Sequence, residues 1–331
     1  MVYLQFNHHI MKALFFKAIN QALSFEKTLI PKAGVGEAVV HLRAAALNYR
    51  DIWITQGQYT GIRPNVILGS DGAGEYKGKE VIINPSLNWG DNPHFQSKEY
   101  HILGMPTDGT FAAFVKVPRA NLHLKPAFLT WEQAAALPLA GVTAWRVLFT
   151  RCRLKRGERV LVTGIGGGVA LFALQFAIAA GAEVWVTSSA DFKINKAIAL
   201  GAAGGVNYTS EGWDKDLKQR SGGFDVVIDS AGGDGFGLLP GLCLPGARIG
   251  VYGGTRGKVN GLSPQILFWK QISILGSTMG TNREFGAMLK FVEKHQLTPV
   301  VDAVFPLEQG NEAMEHLRKK DQFGKVVLRI D

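Results

Sequence analysis

The chain has 331 residues, 47% of them hydrophobic and 19% charged, and a formal net charge of +9. That length exceeds one small core and predicts about two domains, and the composition is that of a folded globular protein, not a disordered one. No run reaches the ~18 uninterrupted apolar residues of a membrane span, and the most basic stretch, Arg151–Arg159, reads as a solvated helix end, which argues against a nucleic-acid partner.

The N-terminus lacks the charged-then-apolar layout of a secretory signal. Met11-Lys12-Ala13-Leu14 reads as a natural start, so residues 1–10 read as an extension. From Met11 to about Lys125 the pattern is short and strand-like, broken by Gly, Pro and Asn. Ala13–Phe16, Glu37–Ala45, Glu80–Asn84 and Phe111–Val117 are the clearest strands, and Asn48–Gln56 reads as a helical turn. Many short strands at close intervals predict a β-rich barrel or sandwich. Thr130 followed by Gln133 is a capping box, opening a helical run over Ala134–Phe149 with a bend at Pro138. Strands then alternate with helices: Val160–Thr163, Glu183–Thr187, Gly205–Tyr208, Asp225–Asp229, Arg248–Tyr252 and Ile272–Leu275. That alternation predicts an α/β fold with a doubly wound parallel sheet. After a helix at Glu284–His295 the tail reads as strand Val300–Phe305, helix Leu307–Arg318 and strand Lys325–Arg329. The division expected is a β-rich substrate domain over 11–125, a nucleotide domain over 126–299 and a return of 300–331 to the first domain. Cys152 and Cys243 lie far apart without Cys-x-x-Cys spacing, which fits reduced thiols in a cytoplasmic protein.

Val160–Lys193 carries the most chemistry. The apolar strand Val160–Thr163 enters the turn Gly164-Ile165-Gly166-Gly167-Gly168, a long apolar helix follows from Val169 to Ala180, and a second strand ends in Ser188-Ser189. Bare glycines admit a pyrophosphate to free N–H groups at the helix N-terminus. The alternative is that they only turn a strand into a helix. An Asp or Glu at the tip of the second strand would accept from both ribose hydroxyls of NAD. Here Ser188 and Ser189 can donate to a 2′-phosphate and Lys193 can pair with it, which points to NADP(H). Asp191, just past the tip, leaves open a ribose contact in a shifted register.

With these motifs placed, the chain resembles the medium-chain dehydrogenase/reductase superfamily over essentially Met11–Asp331. The resemblance rests on Ala46-Leu47-Asn48-Tyr49-Arg50-Asp51, Leu68-Gly69-Ser70-Asp71-Gly72-Ala73-Gly74, Ala140-Gly141-Val142-Thr143-Ala144, Val227-Ile228-Asp229-Ser230, Tyr252-Gly253-Gly254 and Phe323-Gly324-Lys325-Val326-Val327-Leu328. It implies a GroES-like domain plus a Rossmann domain, with the active site in the cleft between them. Counting back from Gln175, the family's nucleotide loop falls on Ile165, Gly166, Gly167, Gly168, Val169 and Ala170, with Ile165 unusual and Gly164 taking the tight turn. The resemblance further places Tyr208 and Lys320 at the adenosine phosphate, Thr143 at the nicotinamide, and Ala231, Tyr252 and Gly253 at strand ends beside the ring.

It also bears on zinc. Zinc members have a Cys where this chain has Asn48, a His at Ser70 and a third ligand near Leu139. The structural zinc loop maps to Pro85–His101, which has no cysteine, and His94 and His101 read as surface or packing residues. The expectation is no metal, since a catalytic zinc needs three N, S or O ligands. What remains resembles the quinone-reductase-like and enoyl-reductase-like branches. Asn48 is then a candidate hydrogen-bond donor to a substrate carbonyl. Tyr59 is either an acid or carbonyl donor, or an aromatic wall. Trp53, Phe268 and Trp269 either line the pocket or belong to the core or a dimer edge. Asp51 reads as a structural brace, and a homodimer is implied.

The leading reading is an NADPH-dependent, zinc-independent reductase of quinones or activated C=C bonds, acting on a small molecule. The alternatives are a zinc-type alcohol dehydrogenase with a divergent metal site, and a catalytically quiet NADPH- or nucleic-acid-binding protein on the same fold.

Overall fold

The computed structural model describes residues 10–331. The reading of the first ten residues as an extension falls, apart from Ile10, outside the described residues. The chain forms two compact units. The first comprises the chain up to Leu139 together with Thr281–Leu289 and Thr298–Asp331; the second comprises Ala140–Gly280 and Lys290–Leu297.

The first unit opens with β1 (Ile10–Phe16), β2 (Ser24–Leu29), β3 (Glu37–Ala46), helix α1 (Tyr49–Thr55), β4 (Val66–Ile67), β5 (Asp71–Tyr76), β6 (Lys79–Ile83), β7 (Ser86–Leu87), β8 (His101–Ile102), β9 (Phe114–Pro118), β10 (Leu122–Leu124) and α2 (Trp131–Ala136). Two of these strands are poor in apolar residues. β2 pairs only with β1 and alternates half-buried with exposed residues. β5, Asp-Gly-Ala-Gly-Glu-Tyr, carries glycines because its backbone runs close against β3: a Cβ on Gly74 would lie 2.1 Å from the His41 carbonyl oxygen. Phe111 and Ala112 leave the strand expected over Phe111–Val117 and bond instead to β1, through Leu14 N to Phe111 O at 2.8 Å and an Ala13–Ala112 bridge.

The single bent helix expected over Ala134–Phe149 is three segments. α2 ends before Pro138, α3 (Pro138–Trp145) starts on it, and a π-helical turn runs through Arg146–Arg151. Proline has no N–H to continue the preceding helix, so the break falls there.

The second unit continues with β11 (Arg159–Val162), α4 (Gly168–Ala179), β12 (Glu183–Ser188), α5 (Asp191–Ala199), β13 (Gly204–Asn207), α6 (Trp213–Ser221), β14 (Phe224–Asp229), α7 (Leu239–Leu242), β15 (Cys243–Val251), α8 (Pro264–Lys270) and β16 (Ser273–Gly276). Its six-stranded sheet has the order β13-β12-β11-β14-β15-β16, with every pairing parallel. This is the doubly wound order of a dinucleotide-binding sheet, with the strand direction of winding reversing between β11 and β14. The central strands are buried on both faces, which is why Val160, Leu161 and Val162 form an apolar run without alternation. Trp145, Phe149, Phe176 and Phe291 add an aromatic cluster to this unit, with neighbouring ring centroids 4.5–6.2 Å apart.

The chain then forms α9 (Asn282–His295), β17 (Val301–Pro306), α10 (Gly310–Arg318) and β18 (Lys325–Arg329). β17 and β18 complete the first unit's larger sheet, order β10-β6-β5-β3-β18-β17 with β9 also on β3. The register pairs Val327 with Ala46. It therefore carries Lys325, at the start of β18, to the end of β3, where the polar residues of the first unit converge.

Candidate functional site

In the second unit the nucleotide loop is built by its backbone. Gly164 and Gly166 have φ of 65° and 124°, values that favour glycine, and Gly167 caps α4 in extended geometry. A Cβ on Gly164 or Gly167 would meet no protein atom within 4 Å, so space lies open over the first N–H groups of a 12-residue helix. That space and those donors fit a pyrophosphate. Ile165 is explained by burial: it is 2% exposed, and its N–H donates to Thr187 O at 2.8 Å, tying the loop to β12. Gly166 is buried, while Gly168 and Val169 form the first turn of α4.

Further along the sheet edge, Ser188 is buried and its hydroxyl accepts from Ala190 N at 3.2 Å, whereas Ser189 is exposed. Tyr208 follows β13 and donates its N–H to Ser188 O at 3.0 Å, bringing its ring beside the tip of β12. Lys193 is half-buried on α5 with its ammonium 5.7 Å from the Phe192 ring. The Asp191 carboxylate accepts from Asn207 Nδ2 at 2.9 Å, which commits one of its oxygens away from a ribose. The sequence reading missed Arg256. Its N–H donates to Ala231 O at 2.8 Å, its guanidinium lies 5.0 Å over the Tyr208 ring, and its Nη2 donates to Tyr208 Oη at 3.4 Å. Its sequence signal was its place two residues after Gly253-Gly254, at a strand end of the winding sheet.

Asp229 braces the neighbouring loop: Oδ1 accepts from Thr163 Oγ1 at 2.6 Å and Oδ2 from the N–H groups of Ala231 and Gly232 at 3.0 and 2.9 Å. Tyr252 N donates to Asp229 O at 3.0 Å, so Gly253 and Gly254 begin beside this brace. Thr143 is buried in α3, with Oγ1 3.7 Å from Met279 Sδ.

In the first unit, the residues around the start of α1 form a buried polar cluster. Asn48 Nδ2 donates to Asp71 Oδ2 at 2.9 Å, and Asn48 Oδ1 accepts from Lys325 Nζ at 2.6 Å. Lys325 also donates to Leu47 O at 2.7 Å and to Asp71 Oδ2 at 3.0 Å, while Asp71 Oδ1 accepts from Leu139 N at 2.8 Å. Both members of the ion pair are buried, with side chains 6% and 0% exposed. Asn48 therefore keeps a single Nδ2 hydrogen beyond these contacts, and its carbonyl oxygen is spent.

Arg50, a residue of the quoted motif that was assigned no role from sequence, is 6% exposed. Its Nη1 donates to Ser70 Oγ at 2.6 Å and to Leu103 O at 3.1 Å, and Ser70 Oγ donates to Leu103 O at 2.8 Å. Its Nε donates to Tyr59 Oη at 3.3 Å, with the guanidinium carbon 4.8 Å from the half-buried Tyr59 ring. Asp51, fully buried, accepts the Asn48 N–H at 2.8 Å, a structural brace in this geometry. Burial lifts its carboxyl pKa to about 6, against the opposing pull of the Arg50 charge.

These donors do not fit a catalytic zinc. Of the three positions, Asn48 is held by an ammonium and a carboxylate, Ser70 by a guanidinium, and Leu139 offers only an apolar side chain. Zinc takes thiolate, imidazole or carboxylate, and none of the three positions carries one. His94 is exposed and His101 turns Nδ1 toward Glu99 O at 3.2 Å.

The pocket aromatics divide. Trp53 is half-buried on α1, edge-on to Tyr49 at 5.5 Å. Phe268 and Trp269 are 58% and 84% exposed on α8, which overturns the core alternative for both. Lys320 belongs to the first unit, with its ammonium 5.5 Å from the Tyr49 ring.

Two family models match the sequence: an alcohol dehydrogenase GroES-like domain over residues 34–127 and a zinc-binding dehydrogenase over 168–294. A zinc-type alcohol dehydrogenase-like protein of Leptosphaeria maculans (YogA) is 34% identical, covering 91% of this chain and 92% of that protein. An acryloyl-coenzyme A reductase of Metallosphaera sedula is 31% identical over 96% of this chain and 99% of its own length. The crystal structure of an NAD-dependent alcohol dehydrogenase superposes with a TM-score of 0.91 at 36% identity, covering 97% of this chain and 100% of that one.

Proposed function

Since this chain belongs to the medium-chain dehydrogenase/reductase superfamily, in its zinc-type alcohol dehydrogenase-like and enoyl reductase branch, and is an oxidoreductase of that type, we propose that it is an NADPH-dependent, zinc-independent reductase of quinones or activated C=C bonds. The observation that carries this reading is the occupation of the metal-ligand positions by Asn48 and Ser70, each already bonded to a buried cation, Lys325 and Arg50. Without a Lewis acid, deprotonating an alcohol loses its usual activator. An electrophilic carbon conjugated to a carbonyl needs only hydride delivery and a donor for the oxygen. The likeness to an acryloyl-coenzyme A reductase supports the same chemistry.

Bound NADPH supplies the hydride. The glycine loop and α4 hold its pyrophosphate, Thr143 and the strand ends at Ala231, Tyr252 and Gly253 receive the nicotinamide, and Ser188, Ser189, Lys193, Tyr208 and Arg256 receive the 2′-phosphate. In the substrate, hydride adds to the β-carbon and the electron pair moves to the carbonyl oxygen. A proton then reaches the α-carbon and completes the saturated carbonyl product. The remaining Asn48 Nδ2 hydrogen and Tyr59 can donate to that oxygen. The reading also includes a reducing cytoplasmic setting, in which Cys152 and Cys243 stay as thiols. Both are buried, and burial pushes their pKa values up to about 12. It further includes a homodimer, for which exposed Phe268 and Trp269 next to edge strand β16 offer apolar surface.

The test is steady-state NADPH oxidation with a panel of 1,4-quinones, short enones and enals, alongside NAD(P)-linked oxidation of alcohols and metal analysis of the purified protein. Turnover of enones or quinones that exceeds alcohol oxidation, without bound metal, is the expected outcome. One tightly bound zinc per chain, or alcohol oxidation as the faster reaction, overturns it.

A further inference from the structure

Arg50 is a buried cation that bonds two hydroxyl groups and leaves them in opposite states. A guanidinium can only donate. Ser70 Oγ accepts from Arg50 Nη1 at 2.6 Å and sends its own hydrogen to Leu103 O at 2.8 Å, so both roles of that hydroxyl are filled. Tyr59 Oη accepts from Arg50 Nε at 3.3 Å, and its hydrogen goes to no partner among the described residues. The phenol cannot turn that hydrogen toward Arg50, because Nε carries one of its own.

We propose that Arg50 is a positioning residue that fixes Tyr59 as an outward-facing hydrogen-bond donor to a substrate carbonyl oxygen. Three features act together. The accepted Nε hydrogen bond sets the direction of the Tyr59 hydrogen. The guanidinium over the ring, 4.8 Å from its centroid, adds a positive potential that favours an oxygen gaining negative charge. Burial holds both in place, since Arg50 is 6% exposed and anchored at Ser70 and Leu103 by Nη1. The donated hydrogen bond strengthens as hydride adds to the β-carbon and the electron pair moves onto oxygen. Tyr59 keeps its proton in this step, so the proton that completes the product comes from water to the α-carbon. The matching substrates carry a carbonyl acceptor, in enones, enals, acyl thioesters or quinones; an unconjugated alkene has no atom for this donor. The inference therefore rests on the proposed carbonyl-conjugated reduction and gives it a second determinant.

Two measurements test it. Neutron diffraction on the wild-type protein, exchanged into deuterated solvent, reads the hydroxyl deuterons without any turnover. The expected map has the Ser70 deuteron on the line to Leu103 O and the Tyr59 deuteron pointing away from Arg50. A Tyr59 deuteron on another protein acceptor, or a Ser70 deuteron turned from Leu103, overturns the assignment even if no substrate is ever found. The second is a kinetic cycle on the best enone of the panel, with folding of each variant checked by its melting temperature. Tyr59→Phe should lower kcat about 100-fold with little change in the KM for NADPH, the loss seen when one oxyanion donor is removed. Arg50→Met should lower kcat by a similar factor, the double variant no further than either single, and Arg50→Lys should recover about tenfold of the loss. Additive losses, or wild-type kcat in Arg50→Met, refute the coupling; wild-type kcat in Tyr59→Phe refutes the donor. A wild type that reduces no enone or quinone refutes the proposed function instead, and the diffraction result still stands by itself. Where Arg50→Met does not fold, Arg50→Gln carries the same comparison.

Discussion

Replacing Arg256 by alanine separates two ways of holding the adenosine end of the cofactor. The guanidinium is exposed and sits on the face of the half-buried Tyr208 ring, beside the β12 tip where Ser188 and Ser189 stand in place of a carboxylate. A hydrogen bond to a charged partner is worth about 1.5–3 kcal/mol. Exposure and salt screening place this one at the lower end, and about 1.5 kcal/mol is roughly tenfold in affinity. Arg256→Ala should therefore raise the KM for NADPH and the Kd for adenosine 2′,5′-bisphosphate about tenfold. The KM for NADH and the Kd for AMP should hold within a factor of about two, since neither carries the 2′-phosphate. Titration calorimetry at low and high salt adds a second axis: the wild-type preference for the bisphosphate should shrink as salt rises, and the variant's should shrink less. Fold integrity is a small concern, because exposed substitutions of this kind shift stability by about 0.5 kcal/mol or less. Equal losses for NADPH and NADH would show that Arg256 stacks on adenine instead. No loss for either would remove it from the site.

Two further outcomes follow from the buried charges of the first unit. Lys325→Met leaves the Asp71 carboxylate fully buried with only the Asn48 and Leu139 donors, and breaking such a pair costs about 3–5 kcal/mol. Urea unfolding should show that loss, with partial recovery in Lys325→Met/Asp71→Asn; a loss below about 1 kcal/mol would mean that the ammonium is not compensating the carboxylate. Asp51 gives a pH signature. Its folded-state pKa is raised from 3.8 to about 6, so the native state holds this proton more tightly than the unfolded chain. Its contribution to stability is full below the unfolded value and is lost as pH rises through the folded one, by at most about 3 kcal/mol. The stability of Asp51→Asn relative to wild type should climb between pH 4 and pH 6 and then level off. A difference that stays flat across that range would show that the carboxyl titrates normally.

The sheet of the second unit was legible because strands buried on both faces must be apolar throughout, and Val160–Val162 and Val226–Ile228 are. The glycine turn was legible for the same kind of reason: the φ of Gly164 favours glycine, and that of Gly166 strongly so. Ile165 looked like a departure from pattern because a sequence does not say which residue of a turn points inward. In the first unit the β5 strand was hidden by Gly72 and Gly74, whose lack of side chain reflects close neighbours instead of a turn: the Leu42 and Thr110 side chains at Gly72 and the backbone of His41 and Leu42 at Gly74. The arginines were missed for a related reason. Arg50 reads as an ordinary helix residue and Arg256 as an ordinary loop residue until the fold carries Ser70 to one and Tyr208 to the other. Lys325 lies 254 positions from Asp71 in the chain, a pairing that only the β3–β18 register creates. The resemblance to zinc members identified the positions from which metal ligands are missing, but not the cations that stand among them.

The Lys325 ammonium has a bearing on how this site can change. A charge carried on the polypeptide arrives with translation, in fixed stoichiometry, and no chelator withdraws it. A cysteine and a histidine placed at positions 48 and 70 would take the Asn48 carbonyl from the ammonium and the Ser70 hydroxyl from the guanidinium, leaving each cation with one acceptor fewer. The carboxylate of Asp71 would still hold Lys325, and the carbonyl of Leu103 would still hold Arg50.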